Sequence, residues 1–177
     1  MNSYLGSFIK FLDDNKLIEF SMLKQDTEDG FNNRLKAQKY VYLAQNNFEL
    51  DLGYEFTKYK FGPYSPQLTE DYFGINFYEN QDENNDLYNL VVSTEEDFNF
   101  GILPLPETFN KNGFLEIVSG KDVSWLEVAT TILHKSKWYD KCGKLLDMVS
   151  LSKPKYNRGY IKQVLDELTL KELMACQ

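Results

Sequence analysis

The chain carries one histidine and two cysteines among 177 residues. Zinc needs three or four nitrogen, sulfur or carboxylate ligands at close spacing. His134 with the isolated Cys142 and Cys176 does not supply them. A Ser-His or Cys-His nucleophile would have to use His134, and Cys142, eight residues on, would lie about 12 Å away along a continuous helix. His134, beside apolar Leu133 near a helix end, reads as structural, in a positive or capping role. The ten glycines are scattered and form neither GxGxxG nor a P-loop. The acids of "DENND" and "TEED" lack the central glycine and terminal glutamate of a calcium loop. No run approaches eighteen apolar residues, and "MNSYLGSFIKFLDD" has no signal-peptide pattern. The expectations are no catalytic residue, no metal, no cofactor and no membrane span. Two free thiols in a reducing cytoplasm fit the cysteine usage.

Positive charge is missing from one stretch. Residues 61–110 hold ten acids and no Lys or Arg, whereas residues 1–60 sum to −1 and residues 111–177 to +3. The whole chain carries −8 with a pI near 4.7, which excludes a generic phosphate-binding surface over the chain as a whole. Concentrated acids can steer a basic partner, so Glu95, Glu96 and Asp97 are candidate partner-binding residues. The run "KPKYNRGYIK" is the opposite case. Lys153, Lys155, Arg158 and Lys162, interleaved with Tyr156 and Tyr160, have the composition of a small phosphate or single-strand site.

What is present is periodic. Leu5, Phe8, Ile9 and Leu12 form one helical stripe, with Ser3 as its cap. "NNRLKAQKYVYLAQNNFEL" is the strongest helix, with Ala37, Val41, Ala44 and Phe48 on one face and Asn32 or Asn33 at its start. In "DLGYEFTKYKF" the period changes to two, and Tyr54, Phe56 and Lys58 alternate as in a short strand. "LYNLVVST" reads as a second strand able to pair with it. Between them lies the elbow "YKFGPYSPQLTED". Gly62-Pro63 is a turn and Ser65-Pro66 a helix start, with that helix running to about Tyr78. Its aromatics Tyr59, Phe61 and Tyr64 are further candidate partner-binding residues. Helices over 107–118, from Trp125 through Leu133, from Cys142 through Val149 and from Ile161 onward complete the chain. The expected fold is mainly α: one multi-helix domain over 1–177 with a small two-stranded antiparallel β element. Its outline is that of a winged helix, with an acidic insertion around 79–100.

Three segments carry a resemblance. Leu35, Gln38, Lys39, Tyr42, Leu43 and Ala44, then Tyr59, Lys60, Phe61, Gly62, Pro63, Tyr64, Ser65, Leu68 and Asp71, resemble the Panacea-type (SocA-like) antitoxin domain and the YwgA-type proteins. "WLEVATTILH" looks like a second YwgA-type helix, and the connector with Pro154 also fits. The similarity runs from about residue 33 to 168. It implies a mostly α fold and a role in toxin neutralisation, with no catalytic residues to carry over. The functional expectation is a non-catalytic, antitoxin-like or phage-defence accessory module. Its partner would be a toxin or defence protein with a basic surface. The alternative is a nucleic-acid-binding regulator using residues 153–162.

Overall fold

Trp125 to Leu133 is a run of nine buried residues, and a helix buried on every side must be central. In the computed structural model, which describes residues 4–75, 91–93, 99–101 and 103–177, that helix is α5 (Val123–Ser136) and it packs on α2, α6 and α7. The other helices are α1 (Leu5–Asp14), α2 (Glu28–Asn47), α3 (Pro66–Gly74), α4 (Lys111–Val118), α6 (Cys142–Ser152) and α7 (Arg158–Leu170), with a 3₁₀ turn at Phe20–Met22. The molecule is therefore mainly helical. Thr130 and Thr131 survive inside α5 because their hydroxyls donate to the carbonyls of Leu126 and Glu127 one turn back, at 2.7 and 2.6 Å. At the other end of the core, the Phe114 ring meets Phe8 and Phe48 edge-on at centroid distances of 5.6 and 5.5 Å, the arrangement the ring quadrupole favours.

Helix boundaries follow side-chain caps. Ser65 accepts from the Leu68 amide with Pro66 at the first helical position, as expected from the sequence. Asp122 and Asn157 cap α5 and α7 in the same way. Elsewhere the boundaries move. α2 begins at Glu28 rather than near Asn32, because Thr27 accepts from Gly30 and two acids follow in the first turn. α3 stops at Gly74, not Tyr78, and α4 starts at Lys111 behind its cap Asn110. Ser3, and the acidic insertion apart from 91–93 and 99–101, lie outside the described residues, as do Glu95, Glu96 and Asp97.

Among the described residues the expected pairing of 54–58 with the second strand is absent. Of the second expected strand, β1 (Val91–Ser93) is described, and it pairs antiparallel with β2 (Asn99–Gly101), Val92 opposite Phe100. The segment 54–58 contributes only an isolated bridge between Thr57 and Tyr64. A winged-helix outline built on a 54–58 hairpin thus loses its wing. The expected alternation of Tyr54, Phe56 and Lys58 fades along the segment, since Tyr54 is buried, Phe56 half-buried and Lys58 exposed; the clear alternation lies just before it. Leu50, Leu52 and Tyr54 are buried while Glu49, Asp51 and Glu55 are exposed, but the edge is satisfied by a side chain. Gln45 donates to the Tyr54 carbonyl at 2.8 Å and accepts from its amide at 2.9 Å. One glutamine replaces one residue of a partner strand.

The cysteines also differ from expectation. Cys142 and Cys176 form a disulfide, with Cα atoms 5.1 Å apart. Their separation of 34 residues concealed this, because α6 and α7 form a helical hairpin that returns the tail to the start of α6. There the Cys142 amide donates to the Gln177 carbonyl, and the Gln177 amide to that of Asp140, both at 2.9 Å. Closing a loop of that length removes unfolded-state entropy worth about 3–4 kcal/mol. Protein purified without reductant should show no reactive thiol, and reduction should lower its unfolding free energy by about that amount. Two titratable thiols in the folded, unreduced protein would show that the bond does not form.

Candidate functional site

The elbow is held by side chains from α2, α5 and the end of α6. α2 supplies two. Gln38, seven residues before Gln45 and so on the same face, donates to the Ser65 carbonyl and accepts from its amide, both at 2.9 Å. Lys39, 1 % exposed, donates to the Pro63 carbonyl at 2.6 Å. α5 supplies Glu127, also 1 % exposed. The end of α6 supplies Lys153, which donates to Glu127 Oε1 at 2.7 Å and to the Lys60 carbonyl at 2.6 Å. Two ammonium groups therefore hold the carbonyls on either side of Gly62.

Glu127 is the only carboxylate paired with these cations among the described residues. Its second oxygen accepts from Lys155 at 2.8 Å and from the Tyr156 hydroxyl at 3.2 Å. Burial pushes the Glu127 carboxyl up, but the hydrogen bonds from Lys153 and Lys155 outweigh it and hold the group below the usual carboxylate range. Burial lowers Lys153 despite Glu127. Lys39 falls further, to about 7, because burial is joined by the Lys153 charge and only partly offset by Glu127.

Gly62 is what lets the tethers close. Its φ of +91° lies in the region that L side chains avoid. A Cβ there would stand 3.1 Å from Thr131 Oγ1, 3.3 Å from Lys39 Nζ and 3.4 Å from the Glu127 carbonyl oxygen.

Two depressions flank this turn. One, about 230 Å³, is lined by Phe31, Tyr59, Phe61, Tyr64 and Phe73. Phe31, Tyr59 and Phe73 are 42, 57 and 42 % exposed. Phe61 meets Phe31 edge-on at 5.4 Å and Tyr59 lies 5.0 Å from Tyr64. The second, about 580 Å³, lies between the elbow, the end of α5 and the end of α6. The structure thus brings Tyr59, Phe61 and Tyr64 together as one face.

The basic run is not a free patch. Lys153 is buried and Lys155 shares Glu127 with it. Arg158 reaches Asp147 at 2.6 Å and Lys162 reaches Asp166 at 2.5 Å. His134 is held away from the charged form. Burial, then Lys137 and Lys135, lower its pKa, and its Nδ1 is buried without a hydrogen-bond partner among the described residues. Its ring lies 6.0 Å from Tyr42 and 5.0 Å from Trp138.

Among the described residues no cluster of three metal-ligating side chains occurs, and no helix is long and apolar enough to cross a membrane. Comparison with known proteins adds no relative: no family model, curated protein or solved structure matches the chain.

From sequence, Glu127 was not singled out, Lys153 was read as a surface cation, and Gln38 and Lys39 entered only through the resemblance, although a signal existed. Glu127 interrupts the apolar run "WLEVATTIL", and Lys39 sits in the middle of the strongest helix. A charge on a helix that is otherwise wholly buried requires a partner.

The Lys39 geometry has a pH consequence. Below about pH 7 the amine is protonated in both states, and the fold bears the full cost of burying it. Between about 7 and the ordinary lysine value of 10.5 only the unfolded chain keeps the proton, so rising pH favours the fold. The stability advantage of wild type over Lys39→Met should therefore grow from pH 7 to 9, by up to about 1.4 kcal/mol per pH unit. Urea unfolding at several pH values checks this, and a constant difference would contradict it.

Proposed function

We propose that the chain is a non-catalytic protein-interaction module, antitoxin-like or accessory to phage defence, that binds a partner through the elbow. One observation carries the reading. Tyr59, Phe61 and Tyr64, with Phe31 and Phe73, present aromatic surface to solvent on a turn held by buried charge. Aromatic anchors on a preorganised backbone are what tight interfaces use, because little ordering entropy is lost on docking. The similarity of Gln38, Lys39 and "FGPYS" to the Panacea-type and YwgA-type sequences points the same way. It supplies the partner class, a toxin or defence protein with a basic surface.

In this reading the acidic segment with Glu95, Glu96 and Asp97 accelerates encounter with that partner, while the elbow supplies the contact. The reading places the protein in the cytoplasm, but the Cys142–Cys176 disulfide removes the free-thiol ground for that placement and fits an oxidising compartment better. The alternative, a nucleic-acid regulator using Lys153, Lys155, Arg158 and Lys162, has less support. All four cations already have carboxylate partners.

Co-expression with the product of the adjacent reading frame should relieve its toxicity. Tyr59→Ala with Phe73→Ala should abolish that relief and weaken binding of the purified partner by about 2 kcal/mol or more, with thermal stability unchanged. Lysine at positions 95, 96 and 97 should instead lower the association rate and its salt dependence. Unchanged binding by the aromatic double variant would eliminate the elbow as the contact.

A further inference from the structure

The second depression gathers several lysines around one concave place. Several cations on the surface are paired with carboxylates: Lys10 with Asp14, Lys121 with Glu167, Arg158 with Asp147, Lys162 with Asp166 and Lys171 with Glu116. Around this cavity three are not. Lys58, Lys60 and Lys135 line it and take part in none of the ion pairs among the described residues, the Lys60 ammonium lying 5.2 Å from the Phe61 ring centroid. Lys58 and Lys135 repel each other across it. Burial first, then the Lys58 charge, lower Lys135 below the ordinary lysine value. Behind them Glu127 is already shared by Lys153 and Lys155, so no negative charge is left over to neutralise the wall. A chain of net charge −8 thus concentrates uncompensated positive charge at one concave place.

The remaining lining is aromatic. Trp138, 65 % exposed, stands on the cavity with its ring 5.0 Å from that of His134. Tyr59 lines the cavity as well. The floor is the Gly62-Pro63 turn, which the buried tethers fix in place. The volume, about 580 Å³, lies within the range of small-ligand sites. Unpaired lysines recognise phosphate as point charges, and an exposed indole face stacks on a flat heterocycle.

We propose that this cavity binds a nucleoside phosphate, with its phosphates against Lys58, Lys60 and Lys135 and its base against Trp138. This site is separate from the aromatic face on the other side of the elbow and does not depend on the identity of a protein partner. Tyr59 borders both, so ligand and partner would meet at one side chain.

The test is calorimetric titration of the full purified chain with ADP, GDP, UDP and CDP, with inorganic phosphate and adenosine as the two half-ligands. At least one nucleoside diphosphate should bind saturably with one site, and more tightly than either half-ligand. Lys58→Ala with Lys135→Ala, the first exposed and the second half-buried, should weaken that binding at least about tenfold and leave the melting temperature within a few degrees of wild type. Trp138→Ala should weaken the nucleotide while sparing phosphate. Three results would each overturn the proposal. One is no saturable binding of any of the four nucleotides. Another is nucleotide binding that ignores both variants. The last is binding of a single-stranded oligonucleotide that excess nucleoside diphosphate does not displace. None of these measurements involves a protein partner, so the antitoxin-like reading can fail while this site stands, and the reverse.

Discussion

The ion pair between Glu127 and Lys153 is the constraint on which the functional end of this protein depends. Both side chains are almost wholly removed from water. Taking a carboxylate and an ammonium out of water is costly, and their attraction repays that only when every remaining lone pair and proton is used. Here they are used. Lys153 also donates to the Lys60 carbonyl, and Glu127 also accepts from Lys155 and Tyr156. A buried pair of this kind need not raise stability above that of an apolar substitute. What it does is join three pieces distant in sequence: α5, the connector after α6 and the turn before α3. The elbow gains a defined geometry from side chains that would be destabilising if left alone.

The same fixing explains why two different surfaces meet at one turn. Gly62 passes close over Lys39, Thr131 and Glu127, so the flanking residues are thrown outward. Tyr59, Phe61 and Tyr64 reach one side, and Lys58 and Lys60 help line the other. A loop held by its own flexible side chains would have to be ordered on each binding event. This one is ordered beforehand by buried charge. The excess of lysines over acids in that corner also runs against the chain's overall acidity, which is why average charge is a poor guide to what this region recognises.

Much of the scaffold was legible in the sequence because it follows local rules. The stripe of Leu5, Phe8, Ile9 and Leu12, the Ser65-Pro66 start and the central run from Trp125 are set by periodicity and capping, which act over a few residues. Where reading failed, the missing information was the partner. The alternation read at Tyr54, Phe56 and Lys58 suggested a strand, but the backbone of Tyr54 is partnered by the side chain of Gln45 and Lys58 is exposed. Cys142 and Cys176 looked isolated because a helical hairpin, not sequence spacing, brings them together. Lys153 and Lys155 read as surface cations, since nothing in "KPKYNRGYIK" indicates that Glu127, more than twenty residues earlier, lies beneath them. Tyr59, Phe61 and Tyr64 could be named from composition alone; the cavity beside them, which also takes Lys135 and Trp138 from the end of α5, could not.

A double-mutant cycle on Glu127→Gln and Lys153→Met, read by equilibrium urea unfolding, tests the organising role of the buried pair most directly. Each single change leaves a buried charge short of its partner and should cost about 3–5 kcal/mol. The double variant should be more stable than the sum of the two by about 2 kcal/mol or more, as expected of groups in one network. Losses that add to within about 0.5 kcal/mol would show that the two groups act independently, and the elbow would then have to owe its geometry to something else.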